Sequence, residues 1–392
     1  MIAKNIPRRQ AIPILYTRGT HYDVGFDMGR TFAAIIKSFL QLSQPLNEVY
    51  LPLYATDEGR NAYNETLECV KQSFPQYIRE LQGVSDGAQV EFHKLFLLHM
   101  DDITPQSIKH LNDIPDIKDI KEPTGCSTIM LNTEDCKVLA HTEDALTETL
   151  NHYYFVVAHI INDTPQGKYN VQEERFMSLC YAGHLPGYTM NYNHHGLVFS
   201  INTLSAEFLR SGKTPRHFIT RALLSADNFD MAHTILKDCG VGAGDGCSIN
   251  MTFLNVEPQP FYNIEMAPAV GDKNESQLDV REVGPGDHSY HANSYLRIKT
   301  PEANQIMIDS SVSRMNTFST YDPPKTKEDI VHMLGDCSGG EHCVFRENGD
   351  LSQMVKTIAV GVFDLKAKTY ALYSDNPRTS LPHVTIPLFL KE

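Results

Sequence analysis

Basic residues are in short supply along this chain of 392 residues: Lys and Arg total 34 against 48 Asp and Glu, a net charge of −14. That balance excludes nucleic acid and anionic membrane surfaces as natural partners and is compatible with a cationic small substrate. No run of about 18 apolar residues exists, so no membrane-spanning helix is expected. The N-terminal stretch Met1-Ile2-Ala3-Lys4-Asn5-Ile6-Pro7-Arg8-Arg9-Gln10 has neither the apolar core nor the small-residue cleavage site of a secretory signal. A cytoplasmic protein is the expectation. Its eight cysteines, at 69, 126, 136, 180, 239, 247, 337 and 343, form no CxxC pair. They read as reduced thiols, neither a disulfide framework nor a zinc site. Seventeen histidines invite a metal, but none falls in an HExxH arrangement, so no metal is expected. Internal repeats and low-complexity segments are also missing. The length suits two ordinary domains or one large layered one; with no linker between helical and strand-like stretches, one compact unit is preferred.

What is present is a distinctive step, Gly125-Cys126-Ser127-Thr128, running into the apolar Ile129-Met130-Leu131. A cysteine opening a buried strand behind a glycine is the arrangement that a self-cleaving N-terminal-nucleophile hydrolase requires. The thiolate attacks the preceding carbonyl, an N-to-S acyl shift gives a thioester, and water releases a new α-amino group beside the thiol. Glycine leaves room for the attack. An α-amine of ordinary pKa about 7.7 to 8.0 can then serve as base for its own side chain. The dipeptide alone also suits plain core packing, because cysteine is among the most buried residue types.

Periodicity predicts a helix over Val24–Leu40, with Gly25 and Gly29 on one face where backbones can approach, and further helices over Phe74–Leu81 and Phe92–Met100. Ile103–Thr124, with Pro115 and Pro123, reads as a loop, where a scissile bond is reachable. Strands follow: Ser127–Leu131, Lys137–His141, Tyr153–Ile161, Phe176–Tyr181 and Leu197–Ile201. Helices return over Arg216–Leu224 and Asp230–Lys237. Cys247–Leu254, Phe261–Met266, Thr357–Asp364 and Thr369–Tyr373 are the later strands. Helices, strands, helices, strands in that order predict an α+β protein with two packed sheets between helical layers.

Several short segments occur together in one order. They are Gly25-Phe26-Asp27-Met28-Gly29, Glu80-Leu81-Gln82-Gly83, Gly125-Cys126-Ser127-Thr128, Ala140-His141-Thr142-Glu143-Asp144-Ala145, Gly187-Tyr188, Gly196-Leu197, Ile201-Asn202, His291-Ala292-Asn293 and Asp309-Ser310-Ser311-Val312-Ser313-Arg314. In these the chain resembles the acyl-coenzyme A:isopenicillin N acyltransferase-like family of cysteine N-terminal-nucleophile hydrolases, over nearly its whole length.

The resemblance implies a four-layer αββα sandwich and self-cleavage between Gly125 and Cys126. An α chain, 1–125, and a β chain, 126–392, would stay together as one domain. It also implies hydrolysis of a small-molecule β-alanyl amine, with no cofactor, and leaves a homo-oligomer of αβ units open. Cys126 would be nucleophile and, through its α-amine, base. Asp144 would hold the new ammonium; read without the family it is an ordinary turn aspartate. Asn293 would offer an amide N–H to the oxyanion, or else bond its own loop backbone. Arg314 would favour the thiolate, or else be an exposed helix-end arginine; one extra residue separates it from the serine pair relative to the family's Asp-Ser-x-x-Arg pattern.

Asn202 lines a pocket or, the preferred reading, caps a strand. Where penicillin-forming members read Asn-Trp-Asp, this chain has Thr142-Glu143-Asp144; Glu143 is either a partner for the β-alanyl ammonium or a solvated surface glutamate. An acyltransferase of the same fold, or an uncleaved non-enzymatic protein, are the competing readings.

Overall fold

Gly25 and Gly29 sit on a helix, His21–Thr31, whose backbone presses against Gly83 and Gly87 of the helix Pro75–Ala88. A Cβ on Gly25 would lie 1.9 Å from the Glu80 carbonyl oxygen, and one on Gly83 2.3 Å from that of Tyr22. Only glycine allows this approach. The computed structural model describes residues 8, 11–106, 125–270, 273–347 and 355–390. The helix expected over Val24–Leu40 is divided at Phe32 into His21–Thr31 and Ala33–Leu42, and Pro75–Ala88 runs on past Gly83. A helix over Asp57–Ser73 was not anticipated. Of the loop expected at Ile103–Thr124, Ile103–Gln106 forms a short helix and residues 107–124 lie outside the described residues.

The described strands are β1 (Ile14–Gly19), β2 (Gly125–Asn132), β3 (Lys137–Leu146), β4 (Tyr153–Gln166), β5 (Val171–Tyr181), β6 (Met190–Asn193), β7 (Leu197–Leu204), β8 (Gly246–Phe253), β9 (Phe261–Ala267), β10 (Gln277–Val283), β11 (Asp287–His291), β12 (Val355–Asp364), β13 (Thr369–Tyr373) and β14 (Val384–Pro387). They form two sheets, ordered β1-β4-β5-β6-β7-β8-β9-β10 and β11-β2-β3-β12-β13-β14. Each strand predicted from the sequence is found, most with one or more residues added.

Three apolar clusters define the layering. Val24, Ile36, Leu81 and Phe96 of the N-terminal helices pack on Val156 and Phe199 of the larger sheet. Met130, Leu139 and Phe363 of the smaller sheet meet Phe155, Met177 and Val198 of the larger. Ile129, Val138 and Val360 on the outer face of the smaller sheet meet Phe318, Ile330 and Leu334. The result is the expected α+β order of helix, sheet, sheet, helix.

Strand alternation distributes the polar residues of β2 and β3 between these interfaces. In register, Cys126 opposes Glu143, Thr128 opposes His141, and Gly125 opposes Asp144. Cys126, Thr128, His141 and Glu143 share the face of Met130 and Leu139, toward the other sheet. Ser127, Thr142 and Asp144 share the face of Ile129 and Val138, toward the helix Gln305–Ser319.

Candidate active site

Cys126 is buried, and its backbone is held at both ends. Its N–H donates to Asn293 Oδ1 at 2.7 Å. Its carbonyl accepts from Arg314 Nη1 at 2.6 Å. Arg314 also donates to Ser127 Oγ at 3.0 Å and to Asn293 Oδ1 at 2.7 Å, so one fork ties three groups around the cysteine. Far from ending a helix on the surface, Arg314 lies within Gln305–Ser319 and is 0% exposed. Burial first, then the neighbouring Arg346, brings its pKa down to about 10.

Asn293 differs from the expected picture in its present contacts. Its carbonyl oxygen faces the Cys126 nitrogen, while Nδ2 donates to the Thr203 carbonyl at 3.0 Å. The group oriented here is therefore the nitrogen that cleavage would turn into an α-amine.

Asp144 is fully buried within β3, not at a turn, and accepts from Thr357 Oγ1 at 2.6 Å. Its Oδ2 has no hydrogen bond, with Arg346 Nε at 3.5 Å. Burial raises this carboxyl above its ordinary range, opposed by Arg346 and Arg314. A Cβ on Gly125 would sit 3.2 Å from that Oδ2 and 3.4 Å from a nitrogen of each arginine. If the chain cleaves itself at this bond, Gly125→Ala should keep the fold but slow the appearance of two chains severalfold, followed by mass spectrometry over time.

Glu143 is 3% exposed, which removes the solvated-glutamate reading. One carboxylate oxygen lies 3.9 Å from Cys126 Sγ and accepts from the Tyr181 hydroxyl; the other is 3.0 Å from His141 Nε2. Behind it, Thr128 Oγ1 donates to Asn202 Oδ1 at 2.9 Å and lies 2.8 Å from His141 Nδ1. Asn202 also accepts from Asn250 at 2.7 Å. It stands inside β7 and links the two sheets, in place of lining the cavity or capping a strand.

The thiol itself is held neutral. Burial raises its pKa well above the ordinary value, the Glu143 and Asp144 charges add to this, and the Arg314 cation opposes them without prevailing. The effect expected of Arg314 has the right sign but is outweighed.

Cys126, His141 and Glu143 each offer a ligand atom within 4.8 Å of the others, a cluster that spacing along the sequence did not foretell. A soft divalent cation could be held there. His141 and Glu143 already satisfy each other, so a hydrogen-bonded network accounts for the arrangement without one. Tyr181, His141, Arg346 and Thr357 were not singled out from the sequence. A run of polar residues in a buried strand, His141-Thr142-Glu143-Asp144, was the available signal for the second; the others carry none locally.

Cys126 and Glu143 open onto a cavity also lined by Phe39, Asp101, Asp102, Tyr188, Arg216 and His217. Glu143, Asp101 and Asp102 bring three carboxylates to its wall against the one guanidinium of Arg216. No helix among the described residues is long and apolar enough to cross a membrane.

Residues 131–379 match the family described as acyl-coenzyme A:6-aminopenicillanic acid acyl-transferase. The β-alanyl-dopamine/carcinine hydrolase of Drosophila melanogaster is 66% identical over 388 residues, covering 99% of both chains. By this match and this relative, the chain belongs to the acyl-coenzyme A:6-aminopenicillanic acid acyl-transferase family.

Proposed function

We propose that the chain is a self-processing cysteine amidohydrolase for β-alanyl biogenic amines. It converts carcinine to histamine and β-alanine, and β-alanyl-dopamine to dopamine and β-alanine. The observation that carries this reading is a buried cysteine on the wall of a carboxylate-rich cavity, with its own backbone nitrogen presented to Asn293 Oδ1. The substrate follows from the 66% identity to a hydrolase of that name, which also favours transfer to water over transfer to an amine.

In maturation, Cys126 Sγ adds to the Gly125 carbonyl, the C–N bond breaks as the amide nitrogen takes up the thiol proton, and water hydrolyses the thioester to leave a Gly125 carboxylate and a free amine on Cys126. Asn293 Oδ1 and Asp144 Oδ2, which accepts no hydrogen bond, are acceptors suited to that ammonium. In turnover the amine takes the thiol proton, the thiolate adds to the β-alanyl carbonyl, and the ammonium returns the proton to the departing amine. Water then releases β-alanine. Removal of Gly125 from the Cys126 nitrogen is what creates the base.

The chains would remain associated. β1, from the α side, pairs in parallel with β4 over Ile14–Gly19 and Phe155–Ile160, and the N-terminal helices share a core with the larger sheet. Asp101 and Asp102 also come from the α side, so the cavity is complete only with both chains.

Glu143 is proposed to receive the β-alanyl ammonium, two methylenes from the carbonyl under attack. Glu143→Gln preserves shape and removes the charge; KM for carcinine should rise roughly ten- to hundredfold, the worth of a charged hydrogen bond. An unchanged KM would refute this role. The function as a whole is tested by turnover of carcinine and β-alanyl-dopamine, with intact-mass measurement on the same sample. A competing amine in the assay distinguishes acyl transfer, and a single inert chain would sink the enzyme reading.

A further inference from the structure

His217 is 3% exposed and lines the cavity, yet neither ring nitrogen has a hydrogen bond. Its Nε2 is 3.6 Å from Asp101 Oδ2, beyond hydrogen-bonding reach. That carboxylate oxygen is taken by Arg216 Nη2 at 2.6 Å, while Asp101 Oδ1 is also buried and unpartnered. Buried polar atoms are rarely left so, because an unmade hydrogen bond costs the full desolvation of the group. His217 and Asp101 both line the cavity, so their unpartnered atoms are positions where a ligand would supply hydrogen bonds.

The walls say what kind. The Tyr188 ring stacks on His217 with centroids 3.9 Å apart and planes 25° apart, and His184 stands 5.5 Å from His217. The Tyr188 hydroxyl is engaged with Thr203 Oγ1 at 2.8 Å, so the ring contributes its apolar surface. Burial lowers the pKa of His217 and brings that of His184 to about 3, so both are neutral imidazoles. His217 thus offers one donor and one acceptor. Burial opposes ionisation of Asp101, but the Arg216 cation holds it below its ordinary range as a carboxylate. The two terminal nitrogens of Arg216 are taken by Asp101 and Asp102, at 2.6 Å each.

We infer that Asp101 and His217 form the subsite for the ring of the departing amine, taking a flat aromatic group with N–H or O–H donors on its edge. An imidazole N–H or a catechol hydroxyl would donate to Asp101 Oδ1, with His217 meeting the second heteroatom. This rests on the β-alanyl amine reading of the same cavity: Glu143 takes the acyl half beside the thiol, and the Asp101–His217 end takes the other. The two rings named for the Drosophila hydrolase share this edge chemistry, which explains how one site accepts both.

The test compares His217→Phe, which keeps a ring against Tyr188, and Asp101→Asn, which keeps an acceptor for Arg216. Each is assayed with carcinine, β-alanyl-dopamine and the ringless β-alanyl-propylamide, and free histamine is titrated as a product inhibitor. The ratio of kcat/KM for carcinine to that for the propylamide should fall about tenfold, the effect of one lost hydrogen bond, and inhibition by histamine should weaken in parallel. Equal losses on all three amides, or an unchanged histamine inhibition constant, would overturn the subsite. If the wild type matures into two chains yet hydrolyses none of the three, the hydrolase reading itself falls and the subsite with it.

Discussion

Cys126→Ala is expected to yield one uncleaved chain with no release of histamine or dopamine, a loss on the order of 10⁴ or more in turnover. Both effects come from one atom. Cys126 Sγ is the group that would attack the Gly125 carbonyl, and the same sulfur would attack the substrate. Without maturation the nitrogen at 126 stays an amide, donating to Asn293 and unable to accept a proton. The substitution removes one small buried group, at a packing cost of about 1 kcal/mol, so the variant should fold. An unchanged near-UV circular dichroism spectrum would verify this. Two chains, or residual hydrolysis, in a folded Cys126→Ala sample would end the mechanism. Cys126→Ser supplies the intermediate case: an oxygen in place of sulfur should mature slowly, and its turnover should never exceed its matured fraction.

Cys126 stood out as a candidate because glycine before cysteine before an apolar run is an unusual local pattern, and because several other segments recur in the family's order. The layers were legible because β2 to β5 alternate or are β-branched enough to be seen one at a time. The break at Phe32 was not, since no proline or glycine marks it and the apolar spacing continues through it. Asp57–Ser73 escaped for a different reason: its inward face is Ala62, Tyr63, Thr66 and Val70, too small and polar to register as an apolar stripe. The same difficulty applies to the site. Arginine and glutamate are ordinarily surface residues, so nothing near Arg314 or Glu143 announces burial. Arg314 is surrounded by Ser127 and Asn293 and Glu143 by Tyr181, all far away in sequence, with only His141 a near neighbour of Glu143. Gln305–Ser319, rich in serine, threonine and asparagine, does not advertise itself as a helix, yet it turns Ser310, Ser311 and Arg314 inward.

Arg314 therefore carries the second large expected effect. Arg314→Met keeps much of the stem's volume and removes the donors to the Cys126 carbonyl, Ser127 Oγ and Asn293 Oδ1. Three buried acceptors lose a partner, and Asp144 loses one of the two cations that oppose its protonation. Breaking such a buried charged cluster costs about 3 to 5 kcal/mol, so a lower melting temperature is expected. The catalytic effect is separable from it. Asn293 would be free to rotate, and the nitrogen of Cys126 would lose its fixed direction, which should slow maturation and reduce kcat by about 10² to 10³, comparable to loss of one preorganised donor in an acyl-transfer site. Arg314→Lys makes the distinction: the charge remains, but an ammonium cannot reproduce the planar fork that reaches Cys126 and Asn293 together. If Arg314→Lys matures and turns over like the wild type, charge alone suffices and the positioning role is wrong. If it folds at the wild-type melting temperature but matures slowly, the geometry of the fork, acting through Asn293 on the nucleophile's own nitrogen, is what the site depends on.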